Sequence, residues 1–175
     1  MSKPDWEAIE SAYRDAGMPE LLYGHLKKSG EAFLSGVVKV LLASQSAHIK
    51  LFEGQVSPII RAEPEFPVPR GRVDFFLVHD DGSASVCELK DGRNGLQAVL
   101  AGIGQVICYS VQVGMSNAGL RGIRKVLIFS RTNTISDDAL IIDACLKADV
   151  IPIPIGSEAE HKAAATKFIE NYRKQ

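Results

Sequence analysis

The sequence predicts a single α/β domain in which helices cover both faces of a mixed β-sheet. A chain of 175 residues suits one hydrophobic core and leaves little room for a second. Hydrophobic residues make up 46% and charged residues 23%, which is typical of folded proteins and excludes disordered and fibrous chains. Helical segments come first, then an antiparallel strand meander, then alternating helices and strands, and this order favours a mixed sheet.

The first two predicted elements are helices. Residues 5–16 carry apolar side chains at helical spacing and are followed by Gly17 and Pro19, which end a helix. Residues 31–44 are strongly apolar at the same spacing, so we expect a second helix that packs on the core.

Three strands follow in the central part of the chain. Residues 56–68 predict an edge strand, because their β-branched residues alternate with prolines that cannot donate to a ladder. Residues 72–79 and 83–90 predict a hairpin around residues 80–82, where Gly82 suits a positive φ.

The C-terminal half predicts alternating helices and strands. We expect helices at residues 94–113, 135–148 and 158–173, and strands at residues 125–130 and 150–155. The core then spans about residues 31–155, flanked by the N-terminal and C-terminal helices. Residues 94–120 carry no charge, but their glycines and glutamines are too polar for a membrane span, so we expect a buried helix and no membrane partner.

Charge and cysteine content restrict the compartment and the partners. Twenty Lys and Arg against 21 Asp and Glu give a net charge of −1, so any polyanion would have to be bound by local basic patches. The odd number of widely spaced cysteines, at 87, 108 and 145, argues against a disulfide framework and a thiolate zinc site. The acidic N-terminus lacks an apolar signal region, and we therefore expect a cytoplasmic protein.

The predicted hairpin brings two carboxylates and an ammonium together. If residues 80–82 form its loop, Asp74 lies directly opposite Glu88, and Lys90 projects to the same face. Two carboxylates this close repel each other unless one is protonated or a cation lies between them. Their oxygens suit Mg²⁺ or Mn²⁺. The alternative is a cross-strand salt-bridge cluster in which Lys90 only neutralises Glu88.

This arrangement resembles the PD-(D/E)xK phosphodiesterase superfamily. In that family a metal-binding Asp begins one strand and Glu-x-Lys lies on the next; here they are Asp74, preceded by Val73 where the family's name has Pro, and Glu88-Leu89-Lys90. Gln105 and Tyr109 match the Gln-x-x-x-Tyr element of its RecB-like branch and lie on one face of the next helix. The resemblance covers about residues 31–130 and implies a restriction-endonuclease-like core.

The resemblance implies metal-assisted phosphodiester hydrolysis. Asp74, Glu88 and the backbone carbonyl of Leu89 would hold Mg²⁺ or Mn²⁺, and Lys90 would orient the attacking water or neutralise the phosphate. Two helix residues would position Lys90 or the strand backbone, namely Gln105 and Tyr109. For that helix the alternative is that its tyrosine and glutamines satisfy one another against the sheet.

Further ligands and contacts follow from the same resemblance. A third carboxylate often comes from the first core helix, where Glu31 stands, although an acidic residue at a helix N-terminus is also favourable by itself. Glu63 and Glu65 compete for this role. We expect contacts to the nucleic-acid backbone from basic residues near strand ends, each of which could equally be a solvated surface charge: Arg70, Arg72, Arg93 and Arg131.

The sequence thus predicts a metal-dependent deoxyribonuclease that acts in DNA repair, recombination, phage or defence processes. DNA is the expected substrate, RNA is the other candidate, and internal cutting and cutting from ends both stay open. The alternatives are an inactive module of the same fold that binds nucleic acid or protein, and an α/β protein with an incidental acidic cluster. The small neutral core suggests a homo-oligomer or a larger complex. No dinucleotide fingerprint, phosphate loop or nucleophile elbow is present.

Overall fold

A five-stranded mixed sheet with helices on both faces forms the protein, as seen in a computed structural model that describes residues 6–43 and 57–172. The strands follow one another across the sheet in chain order: β1 (Ile59–Val68), β2 (Gly71–His79), β3 (Ala84–Lys90), β4 (Ile123–Ser130) and β5 (Ile151–Ile155). The helices are α1 (Trp6–Asp15), α2 (Gly30–Ala43), α3 (Leu96–Ser116), α4 (Ile135–Lys147) and α5 (Glu158–Tyr172). Short 3₁₀ turns occupy Glu20–Leu22 and Gly92–Asn94.

The pairing of the strands confirms the predicted fold class. The first three strands form an antiparallel meander, whereas β3, β4 and β5 are parallel. The parallel pairs need crossover connections, and α3 and α4 supply them. The architecture is therefore a mixed sheet in which an antiparallel meander is joined to parallel strands.

The sheet divides the hydrophobic interior into two smaller cores, one on each face, rather than the single core expected from the chain length. Residues of α1, α2 and α5 pack on one face against alternate strand residues, among them Phe75, Cys87 and Leu89. Helices α3 and α4 cover the other face, where Phe76 and Val86 are buried. Each fully buried aromatic or aliphatic side chain contributes roughly 1.5–3 kcal/mol by leaving water. The alternation along β3 thus divides its side chains between two helical layers.

The hairpin register agrees with the one expected from the loop. Phe75 pairs with Cys87 across β2 and β3, and the His79 amide donates to the Ser83 carbonyl at 2.9 Å. Gly82 has the positive φ of 79° that the turn requires. Continuing this register by one position places Asp74 opposite Glu88.

The pairing of β1 with β2 is interrupted at Glu65. Its φ is 54°, a left-handed conformation that is uncommon for a residue other than glycine. The pairs on either side are regular, with Pro64 opposite Phe75 and Phe66 opposite Val73. Val73 and Phe75 nevertheless belong to different cores, so the alternation of β2 changes between them. The irregularity lies beside Asp74, and such strained positions concentrate at functional sites.

Helix α3 is buried on one face only, which corrects the expectation of a buried helix. Five residues face the sheet, namely Val99, Gly102, Val106, Ser110 and Val113. The opposite side is exposed although it carries no charge: Ala101, Gly104, Cys108, Val111 and Met115. By length and composition α3 could cross a membrane, but such a helix is equally typical of a protein core, and here it packs on β3 and β4.

Candidate active site

Three of the predicted catalytic residues, Asp74, Glu88 and Lys90, lie together at one edge of the sheet, where β3, β4 and β5 end and β2 begins. Short contacts tie this edge together: the Gly92 amide donates to Ser130 Oγ at 2.9 Å, and the Arg131 amide donates to the Ile155 carbonyl at 2.9 Å. The hairpin loop lies at the opposite edge. Because parallel strands align their carboxyl ends, residues far apart in sequence are brought to one edge.

Asp74 lies where the regular backbone pairing between β2 and β3 ends. Its Oδ2 accepts a hydrogen bond of 2.7 Å from the Leu89 amide. The last regular pair is Phe75 with Cys87, so this carboxylate replaces a strand partner for Leu89. Burial raises the pKa of Asp74, and the negative charges of Glu31 and Glu65 add to this effect. The Leu89 amide and Lys90 oppose it only in part.

Glu88 is buried, and only one of its two carboxylate oxygens has a hydrogen-bond partner among the described residues. Its Oε1 accepts from Lys90 Nζ at 2.8 Å, whereas its Oε2 is buried and has no hydrogen-bond partner among the described residues. Burial raises the pKa of Glu88 to about 7, and the charge of Asp74 acts in the same direction against the Lys90 hydrogen bond. A buried carboxylate oxygen without a partner is costly, so it calls for a proton or a cation.

Lys90 lies between two carboxylates and against a helix. Its Nζ is 2.8 Å from Glu88 Oε1 and 3.8 Å from Glu31 Oε1. Burial by itself would lower the pKa of Lys90, but the Glu88 hydrogen bond and the surrounding negative charges raise it. Its methylene stem packs on α3, where a Cβ on Gly102 would lie 2.9 Å from Lys90 Cγ. A glycine is therefore needed on α3 to leave room for this stem.

The three candidates for a third carboxylate have different surroundings. Glu31, in the first turn of α2, faces Lys90 across 3.8 Å. Glu65 accepts from Arg72 at 3.1 Å, and Glu63 pairs with Arg61 at 2.8 Å. Glu31 is thus the candidate that lies beside Lys90.

The oxygen atoms of the site supply some, but not all, of the protein ligands that a divalent cation such as Mg²⁺ would take. Asp74 and Glu88 supply carboxylate oxygens on adjacent strands, and the unpartnered Oε2 of Glu88 supplies a free buried acceptor. Within residues 6–43 and 57–172, however, no three His, Cys, Asp or Glu side chains are close enough together to hold a metal ion. A metal would therefore be held by two carboxylates unless Glu31 moved closer.

Helix α3 contacts the start of β2 through Tyr109, which belongs to the family motif, and through Gln112, which does not. Tyr109 packs on the start of β2, where a Cβ on Gly71 would lie 2.8 Å from the tyrosine hydroxyl oxygen. Gln112 accepts from the Arg70 amide at 2.8 Å. In the described part of the chain the side chains of Gln105 and Tyr109 form no hydrogen bond, so their roles in the site stay predictions.

The four predicted nucleic-acid contacts all come from segments at this edge, but two of them are engaged within the chain. Arg93 pairs with Asp91 and with Glu158, each at 2.8 Å, and Arg72 donates to Glu65. Arg70 and Arg131 are exposed, and among the described residues no ion pair is formed by either. These two offer the cations with the fewest internal partners.

Sequence reasoning did not identify the polar residues that hold the segment after Lys90 in place. Asp91 is buried, accepts from the Arg93 amide at 3.1 Å and accepts from Ser130 Oγ at 3.1 Å. Glu158 begins α5 and reaches Arg93. An Asp two residues before Arg93 is a local capping signal, but Ser130 and Glu158 are distant in sequence and carry no such signal.

Comparison with known proteins shows weak structural similarity to nucleases. No family model and no curated protein matches the chain. One similar solved structure is EndoMS in complex with double-stranded DNA, with 20% identity and a TM-score of 0.40 over 64% of this chain and 43% of that chain. Another is a repair endonuclease from Pyrococcus abyssi, with 21% identity and a TM-score of 0.39 over 64% and 46% of the two chains. The chain spans less than half the length of either neighbour.

The raised pKa of Glu88 predicts how the stability of the protein changes with pH. The folded-state pKa of Glu88, about 7, lies above its ordinary value of 4.5. Its contribution to stability is therefore intact below pH 4.5 and is lost as the pH rises through 7. We expect Glu88→Gln to match the parent at pH 4 and to be more stable by up to about 3 kcal/mol at pH 8. Urea denaturation in EDTA at both pH values measures the difference.

Asp143→Asn on the outer face of α4 is the matched control, since it also removes one carboxylate and its partner Lys147 is exposed. Its difference from the parent should stay within about 0.5 kcal/mol at both pH values. A stability difference for Glu88→Gln that does not change with pH would contradict a raised pKa.

Two glycines of α3 provide a second prediction. A Cβ on Gly102 would lie 2.7 Å from Leu127 Cδ1, so Gly102→Ala should lose about 1–3 kcal/mol through overpacking, less the gain in helix propensity. A Cβ on Gly104 meets nothing within 4 Å, so Gly104→Ala should gain up to about 1 kcal/mol. Urea denaturation of both variants tests the packing, and equal shifts in one direction would refute it.

Proposed function

We propose that the protein is a metal-dependent nuclease that hydrolyses phosphodiester bonds in DNA. The observation that carries this proposal is the pair of carboxylates at the end of the β2–β3 ladder, in which the buried Glu88 Oε2 has no partner among the described residues. A purely structural salt bridge would leave no reason to bury an unsatisfied carboxylate oxygen. A divalent cation would satisfy it.

Asp74 and Glu88 would hold Mg²⁺ or Mn²⁺. The Leu89 backbone adds a third donor group, since in an extended strand the N–H and C=O of one residue point to the same neighbouring strand, and the Leu89 N–H points to Asp74. When bound, the metal would polarise the phosphoryl group and lower the pKa of a coordinated water. Glu88, whose apo pKa is about 7, would then stay ionised.

Lys90 contributes a positive charge at the same place. Its Nζ is held by Glu88 and its stem by Gly102, so the ammonium is fixed at the mouth of the site rather than free in solvent. In that position it would neutralise an oxygen of the scissile phosphate or orient the attacking water. The raised pKa of Lys90 keeps it a cation at neutral pH, which makes it a charge stabiliser and not a general base.

The substrate would approach along the same edge of the sheet. Arg70 precedes β2 and Arg131 follows β4, and both side chains are exposed. With a net charge of −1, the protein would bind DNA through such local contacts to phosphates, which set position and not sequence. DNA repair, recombination, phage and defence are the processes in which we place this activity.

Substitutions at the site separate metal binding from turnover. We expect Asp74→Asn and Glu88→Gln to abolish cleavage and to weaken Mn²⁺ binding at least tenfold, because each removes a charged ligand. Lys90→Ala should abolish cleavage but bind Mn²⁺ as tightly as the parent or more tightly, since it removes a cation that competes for Glu88. Calorimetry with Mn²⁺ and cleavage of single-stranded, duplex and branched DNA and RNA provide the measurements.

Lys147→Ala is the control for Lys90→Ala, because it removes an exposed lysine of α4 that lies outside the site. It should leave both readouts unchanged. If purified parent protein cleaves none of the substrates and its melting temperature does not rise with Mn²⁺ or Mg²⁺, the proposal fails, and an inactive binding module becomes the better account.

The helix motif is tested by Tyr109→Phe. The Tyr109 hydroxyl has no hydrogen-bond partner among the described residues and the ring packs on Gly71, so the variant should keep the parent's stability within about 0.5 kcal/mol. If Tyr109 acts in the site as the motif implies, single-turnover cleavage at saturating Mn²⁺ should fall tenfold or more. A parent-like rate would remove Tyr109 from the site.

A further inference from the structure

We propose that Arg93 and Glu158 are positioning residues that hold the start of α2, and with it Glu31, beside Lys90. This inference rests on the proposed nuclease function and goes beyond it, because it assigns a part in metal binding to the C-terminal helix α5. Neither residue would contact the metal or the substrate. They would act through the position of Glu31.

The start of α2 lies directly on the segment that follows Lys90. The Gly30 amide donates to Glu158 Oε2 at 3.3 Å, and a Cβ on Gly30 would lie 3.5 Å from Asp91 Oδ2 and 3.7 Å from an Arg93 guanidinium nitrogen. Gly30 also has a φ of 64°, so a side chain here would strain the backbone although a Cβ would make only ordinary contacts. Glu31 is the next residue, and its place is set by this contact.

Arg93 joins the two sides of the contact. Its guanidinium pairs with Asp91 Oδ2 at 2.8 Å and with Glu158 Oε2 at 2.8 Å. Asp91 follows Lys90 in the chain and is fixed by Ser130 Oγ at 3.1 Å. One guanidinium therefore connects the end of β3, which carries Glu88 and Lys90, to the helix α5 that supports Gly30. Planar, multiply bonded arginine pairs hold geometry better than single ion pairs do.

Glu158 is itself held in place. Its side chain is only 14% exposed, and its Oε1 accepts from Lys162 Nζ at 2.5 Å. Lys162 also donates to the Lys28 carbonyl at 3.2 Å and lies 5.0 Å from the centre of the Trp6 ring. Both Glu158 oxygens are thus committed to neighbours on α2, α5 and the turn at Arg93. Such a network is worth more for fixing position than an exposed surface pair.

Glu31 lacks comparable support of its own. Its side chain is 52% exposed, and in the described part of the structure its charged contact is Lys90 at 3.8 Å. Two carboxylates alone form a sparse site for a divalent cation, which takes six or more oxygen ligands including water. A third carboxylate adds affinity only if it is held near the other two. The network of Asp91, Arg93 and Glu158 holds the backbone of Glu31 beside Lys90, so that its side chain needs only to turn toward the two carboxylates when a cation is bound.

A double-mutant cycle on the full chain tests this inference by Mn²⁺ calorimetry without nucleic acid. We expect Glu31→Gln to weaken Mn²⁺ binding about tenfold and Glu158→Gln about threefold to tenfold. In the Glu31→Gln background, Glu158→Gln should have no further effect, because Glu158 acts only through Glu31. Arg93→Ala should behave like Glu158→Gln, and Arg93→Lys should recover part of the affinity because it keeps one cation between the two carboxylates.

Lys125→Ala is the matched control, because it breaks an ion pair of 2.8 Å with Asp149 at the opposite edge of the sheet, and it should leave Mn²⁺ binding unchanged. If Glu158→Gln or Arg93→Ala does not fold, Lys162→Met replaces them: it removes one Glu158 partner but keeps a long apolar stem beside Trp6. Circular dichroism and urea denaturation establish the fold of each variant.

Two results would overturn the inference without touching the proposed function. One is equal weakening by Glu158→Gln in the parent and in the Glu31→Gln background, which would make the effect independent of Glu31. The other is unchanged Mn²⁺ binding in Glu31→Gln while Asp74→Asn abolishes it. If Asp74→Asn also leaves Mn²⁺ binding unchanged, the metal site itself, and with it the proposed function, is refuted.

Discussion

The hydrogen bond from the Leu89 amide to Asp74 is the interaction on which the site depends. It lies where the backbone hydrogen bonds between β2 and β3 would otherwise continue, and the acceptor is the carboxylate of Asp74 instead of a backbone carbonyl of β2. The two strands therefore stay aligned while their ladder ends. Glu88 and Lys90, on either side of Leu89, are presented at the resulting gap by the backbone that Asp74 holds. The irregular backbone at Glu65 lies directly beside this point.

The charges of the site are balanced at a cost to stability. Burial raises the pKa values of Asp74 and Glu88, so the apo protein gives up stability at neutral pH to keep two carboxylates together. Lys90 offsets part of this cost through its contact with Glu88. The well-satisfied neighbours behave differently, since the hydrogen bonds from Arg93 and Ser130 outweigh burial and hold the pKa of Asp91 below its usual range. The ionised forms of Asp74 and Glu88 are thus disfavoured where chemistry is proposed, whereas the ionised form of the neighbouring Asp91 is favoured.

The two ends of the sheet have different roles. The hairpin end is closed by local contacts, such as the bonds of Asp81 to Ser57 and Ser83, which hold the pKa of Asp81 far below its usual value. The opposite end gathers the ends of three parallel strands and the start of β2 and carries the acidic pair. A parallel arrangement of β3, β4 and β5 is what brings Lys90 and Ser130 to one place. The same arrangement lets α5 reach the site from the end of the chain.

The sequence by itself determined the elements, the mixed sheet and the pairing of Asp74 with Glu88, because strand alternation and a short loop are local and leave one register. Only the tertiary structure decided what surrounds that pair. The stem of Lys90 packs on Gly102 of α3, which the helix motif did not indicate, since the rotation of α3 depends on its packing against the sheet and not on its own periodicity. From the sequence, Glu158 is an ordinary acidic residue in the first turn of a helix. In the structure it accepts a hydrogen bond from the amide of Gly30, which is 128 residues away along the chain. Contacts of that separation leave no local pattern, because they form only when the whole sheet has been assembled.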